Sequence, residues 1–255
     1  MLRPANQRTE RGMRGILGAG LLAVASMASA ADTAEEPVRF HVSARVELDA
    51  AGVPRQVRAN GTLPPFLRDM VEARVMQWRF DPPLVDGQAK AGVTHVFLDA
   101  CAVPALEGQM RVAMDYRSHG PAPADGTAYP MPPRYPLSAA IAGQQGTFQL
   151  TLQIATDGRV HLQSIDALRG SKRPFERDLK KWVADMRYTP EEVDGTPVAT
   201  KLSFPVTFSV GPDVGIKRMR EEVRRSPECV AATAGSEEPQ RPVVLDSPFK
   251  PKETG

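Results

Sequence analysis

Histidine and cysteine are scarce in this chain, four and two among 255 residues, and aromatics make up only 6%. His41, His95, His119 and His161 have no i, i+4 partner, no H-E-x-x-H frame and no cysteine cluster, which argues against a metal centre. No G-x-S-x-G turn and no phosphate-cradling glycine loop is present, so neither a hydrolase elbow nor a nucleotide site is written locally. An envelope hydrolase built from dispersed residues stays open as a minor reading, but the expectation is a non-enzyme without cofactor. Charge of one sign is missing too. Beyond residue 30 the chain carries 28 positive against 29 negative residues, which gives no electrostatic case for nucleic acid.

Long apolar runs are absent outside the first 30 residues. There Arg3, Arg8, Arg11 and Arg14 precede the run ILGAGLLAVA (16–25), and Ala28 and Ala30 stand in A-x-A spacing before Ala31. This is the layout of a cleaved secretory signal, and Met13 opens a complete signal of the same kind. The apolar run is half the roughly 20 residues a spanning helix needs. A retained anchor is the alternative. Export brings an oxidising compartment in which Cys101 and Cys229 could pair, with two unrelated thiols as the other reading.

What is present is said twice. WRFDP (78–82) and MRYTP (186–190) each lead, four residues past the proline, to an Asp-Gly pair. Each is preceded by an alternating strand: Val42, Ala44, Val46 and Leu48, then Phe148, Leu150, Leu152 and Ile154. A glycine turn follows at Gly52 or Gly158, then a second strand. An apolar helical stripe comes next, Leu67, Val71 and Trp78 with Met70 and Val75, and later Phe175, Leu179, Trp182 and Met186. Pro82 and Pro190 bound the helices, and Asp86-Gly87 and Asp194-Gly195 turn the chain into last strands at 93–98 and 202–210. The expected fold is therefore α+β, two tandem β-β-α-β units, each a small antiparallel sheet packed on a helix.

The expected boundaries are a signal at 1–30, a first domain at 37–103, a stiff Pro-rich linker at 104–132, a second domain at 133–211 and a polar tail at 212–255. The tail holds the charge run KRMREEVRR (217–225), with room for a short solvated helix over 214–225, and too little apolar area to order itself. Pro205 lies inside a strongly alternating strand. Proline cannot donate to a sheet ladder, so it marks an edge or a bulge, and an open edge accepts an added strand. Protection of that edge against aggregation explains the proline equally well.

The stretch from Tyr135 to Val210 resembles the C-terminal domain of TonB, the periplasmic energy transducer. The resemblance rests on Tyr135-Pro136, an alanine at 139 or 140, Gly143 and Gly146 three apart, Asp157-Gly158, Arg187-Tyr188-x-Pro190, Gly195 and Pro205. The first half shares the turn, WRFDP and Asp86-Gly87, but not the Tyr-Pro leader or the G-x-x-G spacing. The resemblance implies a three-stranded antiparallel sheet on helices that binds the TonB-box peptide of outer-membrane receptors by strand addition. Its receiving edge would be Leu202, Ser203, Phe204, Pro205, Val206, Thr207, Phe208, Ser209 and Val210.

Energy transducers of that family carry an N-terminal membrane anchor and a long Pro-rich rod. This sequence has a cleavable-looking signal and no long rod before its first domain. The functional expectation is thus a periplasmic binding protein or adaptor that takes an extended strand from an outer-membrane receptor or another envelope component. The alternative is a transducer for TonB-dependent transport whose uncleaved N-terminus contacts the membrane.

Overall fold

The turn glycines and the repeated pentapeptides fit each other. In the computed structural model, which describes residues 38–105, 110–127, 130–209, 226–232 and 243–253, Phe80 N–H donates to Gly52 C=O at 3.0 Å and Tyr188 N–H to Gly158 C=O at 2.9 Å. Both glycines have positive φ, and a Cβ on either would strike the aromatic residue's carbonyl. The arginine of each pentapeptide folds back onto the end of the preceding helix. Arg79 Nη1 donates to Trp78 C=O at 2.7 Å, and Arg187 Nη1 to Met186 C=O at 2.6 Å and Ala184 C=O at 2.9 Å. Those carbonyls have no intrahelical partner, so a cation is well placed there.

The elements run β1 (Val38–Leu48), β2 (Pro54–Ala59), α1 (Pro65–Val75), β3 (Arg79–Asp81), β4 (Leu84–Val85), β5 (Gln88–Ala89) and β6 (Gly92–Pro104). There follow β7 (Met110–Gly120), β8 (Ala122–Pro123), α2 (Leu137–Ile141), β9 (Gly146–Ile154), β10 (Val160–Arg169), α3 (Glu176–Asp185), β11 (Tyr188–Thr189), β12 (Glu191–Val193), β13 (Thr196–Val198) and β14 (Thr200–Phe208). The chain ends with α4 (Pro227–Ala232), β15 (Val243–Val244) and β16 (Lys250–Glu253). The class is α+β, with antiparallel pairing throughout and few helices. Asp86 and Asp194 join their glycines at positive φ, the geometry of tight hairpin turns linking β4 to β5 and β12 to β13.

One sheet has the order β13-β12-β6-β1-β2, with β7 also paired to β6; the other has the order β10-β9-β14-β15. The first core gathers Val42, Val46, Val71, Val75, Trp78, Val96 and Leu98, and the second gathers Phe148, Leu150, Ile154, Phe175, Leu179, Val183 and Phe204. Tyr135 closes one end of the second core, edge-on to Phe208 at 5.3 Å between ring centroids, with its hydroxyl donating to Gln144 C=O.

Several boundaries differ from those expected. Residues 110–120 of the supposed linker form β7, registered on β6 from His95↔Gly120 to Pro104↔Met110. A long β6 offers main-chain partners along its whole side, and Met114 and Tyr116 reach the first core, so pairing outweighs the stiffness of the flanking prolines. The halves also share a sheet: Glu192↔Val93 and Val193↔Gly92 join β12 to β6.

The described parts of the supposed tail are ordered. Phe249 is completely buried in the first core, β16 pairs with β3, and Cys229 on α4 is disulfide-bonded to Cys101 on β6. Buried area, backbone pairing and a cross-link thus offset an ordering cost that composition alone could not. Each half lends an arm to the other, since β8 pairs with β11 while β16 pairs with β3. The expected signal at 1–30 and the charge run at 217–225 lie outside the described residues. Among the described residues, no helix is long and apolar enough to cross a membrane.

Candidate peptide-binding edge

β14 is held on one side by β9 in continuous register, from Thr200↔Ile154 through Pro205↔Gln149 to Phe208↔Gly146. Pro205 has no N–H, so it occupies a position whose donor direction faces away from β9. By the alternation of an antiparallel ladder, Lys201, Ser203 and Thr207 turn their main-chain groups the same way. Lys201 bears this out: its C=O accepts from Leu245 N–H at 2.9 Å, and its N–H donates to Asp246 Oδ1 at 2.5 Å.

The side chains divide as cleanly. Leu202, Phe204, Val206 and Phe208 are buried in the second core. Ser203, Pro205 and Thr207 lie on the opposite face, where Ser203 Oγ accepts from Gln149 Nε2 and Thr207 Oγ1 lies 3.2 Å from Thr147 Oγ1. Ser209 follows the strand, and Val210 lies outside the described residues.

The outer side of this strand is partly occupied, where the sequence led us to expect an open edge. β15 adds to it antiparallel, with Leu202↔Val244 and Ser203↔Val243. Val244 packs against the second core and beside Gly120, where a Cβ would meet its Cγ2 at 2.5 Å. The sequence signal for this strand was the short run VVL (243–245) within polar surroundings. In the first half the corresponding last strand, β6, is paired on both sides, with β1 on one and with β12 and β7 on the other.

Polar anchors hold the arm that carries β15. Glu191 is wholly buried and accepts from Thr94 Oγ1 at 2.6 Å, Ser247 Oγ at 2.8 Å and Thr200 Oγ1 at 3.3 Å. Burial raises its pKa above the usual carboxylate range, against the opposing effect of those three hydroxyls. His119 Nε2 donates to Phe249 C=O at 2.6 Å, which leaves Nδ1 to accept from Tyr116 Oη at 2.7 Å. Burial lowers the pKa of His119, so the ring is neutral in this role.

Asp99 is enclosed by Arg39, Arg117 and His41 on the opposite face of the first sheet, an ion-pair cluster rather than a ligand set. Among the described residues no group of three or more His, Cys, Asp or Glu side chains could hold a metal ion.

Residues 131–210 match the family model described as Gram-negative bacterial TonB protein C-terminal. The comparison with curated proteins returns no match. The matched family consists of envelope interaction domains that engage outer-membrane proteins and carry no catalytic activity of their own. The matched span holds α2, β9, β10, α3 and β14 together with the Tyr135 closure and the Pro205 edge. Over residues 131–210, less than a third of its length, this chain is thus similar to the TonB C-terminal domain.

Proposed function

We propose that this chain is an exported periplasmic binding protein that recognises an extended strand of an outer-membrane receptor, or of another envelope component, on the outer side of β14. One observation carries the reading. The main chain of Lys201 and Ser203 faces away from β9, and a strand of the chain itself already adds there in antiparallel register. An edge that takes β15 has the geometry to take a partner's strand, with main-chain bonds giving affinity and side-chain parity giving register. The first half is a scaffold related in element order, because both sides of β6 are already used.

The test places a photo-crosslinking side chain at Ser203, whose side chain leaves the core, in a Gram-negative host. Capture of an outer-membrane protein through an extended segment is the expected outcome. Capture only through the first sheet, or through a folded surface of the partner, would refute it. The match at 131–210 also favours a second reading, a membrane-anchored transducer for outer-membrane transport. Intact mass of the fractionated protein separates the two: a soluble chain starting at Ala31 supports the binding protein, and a membrane-bound chain retaining residues 16–25 supports the transducer.

A further inference from the structure

Building on that reading, we infer that residues 243–246 are a tethered internal competitor for the β14 edge, and that an incoming strand binds by displacing β15 while the rest of its arm stays seated. The two ends of the arm are held very differently from its middle. On one side Cys229 is bonded to Cys101 in β6. On the other, Ser247 donates to Glu191, Phe249 is fully buried, Lys250 pairs with Asp81, and Lys252 forms an ion pair with Asp81 at 2.6 Å.

Between these anchors β15 is thin. Among the described residues it has two registered pairs, Val243 and Leu245 are more than half exposed, and the bonds beside it are those of Lys201 with Leu245 and Asp246. Detaching it breaks a few exposed main-chain bonds and uncovers Val244, but it need not unseat Phe249 or the disulfide.

The first half makes the contrast. There the strand that follows the last repeat strand, β7, pairs along β6 over ten registered positions and brings Met114 and Tyr116 to the core, which closes that side for good. In the second half the described cover is Val243–Val244, paired with Ser203 and Leu202 on the stretch of β14 that precedes Pro205. A strand anchored at both ends keeps a high local concentration without new contacts, so it acts as a threshold. A weak or misregistered strand fails to displace it, and a longer strand that also pairs beyond Ser203 succeeds.

The experiment follows the amide signals of Lys201 and Ser203 by NMR while the full chain is titrated with a synthetic peptide of residues 240–248. Three proteins are compared: the unaltered chain, an opened variant Val243→Pro/Asp246→Ala, and a locked variant Ser203→Cys/Val243→Cys. Val243 and Asp246 are exposed, so the opened variant loses edge bonds and no core. Ser203 and Val243 are register partners, at a separation that a disulfide can bridge.

The opened variant should reach half-saturation at a peptide concentration at least about tenfold lower than the unaltered chain, and the locked variant should not respond. Equal half-saturation in the unaltered and opened chains would overturn the competitor and leave the binding edge standing. No response at Lys201 and Ser203 in either would overturn both the competitor and the edge. Undisturbed signals from Phe249 in the opened variant are also expected; their loss would show that the arm leaves as a whole, against the inference.

Discussion

Thr94 and Glu191 lie 97 positions apart, yet the hydroxyl of one donates to the buried carboxylate of the other at 2.6 Å. The same carboxylate takes hydroxyls from β14 and from the C-terminal arm, so a single side chain ties both sheets and the arm together.

Glu191→Gln tests that node through pH. Burial holds the folded-state pKa above its ordinary 4.5, so the folded state keeps the proton over a window where the unfolded chain has released it. Stability from this group is present below the unfolded pKa and is lost as pH rises through the folded one. The variant has no such loss, keeps an acceptor oxygen for Thr94 and Ser247 and can turn an amide N–H to Thr200 Oγ1, so it should be at least as stable as the unaltered chain near neutrality. The advantage should shrink toward about pH 4 in thermal melts.

His95 has the opposite sign. Burial, reinforced by Arg45, lowers its pKa from 6.5 to about 4, so the unfolded chain binds the proton first as pH falls. The contribution is present above 6.5 and is lost on the way down through about 4, worth about 3 kcal/mol at the acid end. His95→Gln should flatten that part of the stability profile, as read by denaturant melts across the window.

Because β12 pairs with β6 and Phe249 fills the first core, the halves should melt together. Trp78→Ala, at a fully buried site, should cost about 3–5 kcal/mol and shift one transition reported by probes in both halves. Trp182 is only partly buried, with Nε1 donating to Met131 C=O at 3.0 Å, so its replacement by alanine should cost less but move the same transition. Two separate calorimetric transitions would show that each half folds alone.

Cys101 and Cys229 are separated by 128 residues. In the chain-entropy account a loop of that order is worth about 5 kcal/mol, so Cys101→Ser/Cys229→Ser should lower stability by up to that amount. Mass spectrometry after alkylation without reduction should find no reactive thiol in the unaltered chain.

Thr207 shares the strand parity of Pro205, and its N–H faces away from β9. Thr207→Pro should therefore leave the β9 ladder intact and the circular dichroism unchanged, while it removes one bond of about 0.5–1.5 kcal/mol and adds a ring where a partner strand must approach. Photo-crosslinked capture from Ser203 should fall. Undiminished capture by a folded variant would place the contact elsewhere.

Local features of this fold were legible because each rests on neighbours in sequence. The stripe through Phe175, Leu179 and Met186, the turns at Asp86-Gly87 and Asp194-Gly195, and the outward parity of Pro205 all lie where periodicity and turn chemistry put them. The arms were not legible. Ala122–Pro123 pairs with Tyr188–Thr189, and Lys250–Glu253 with Arg79–Asp81, through backbone bonds that impose no side-chain pattern. Phe249 is one aromatic residue among prolines and charges, and Glu191 reads as a surface carboxylate until Thr94 and Ser247 are brought beside it. The cover on β14 escaped for the same reason, since a two-residue strand is too short to show alternation.

Phe249 follows the entire second half in the chain, yet it completes the hydrophobic interior built by Val42, Val71, Trp78 and Leu98. A polypeptide is made from its N-terminus. The earliest part of this one therefore emerges with a vacancy in its interior that nothing nearby in sequence can fill. It waits, incompletely packed, until residue 249 has been made, and only then can the first half close.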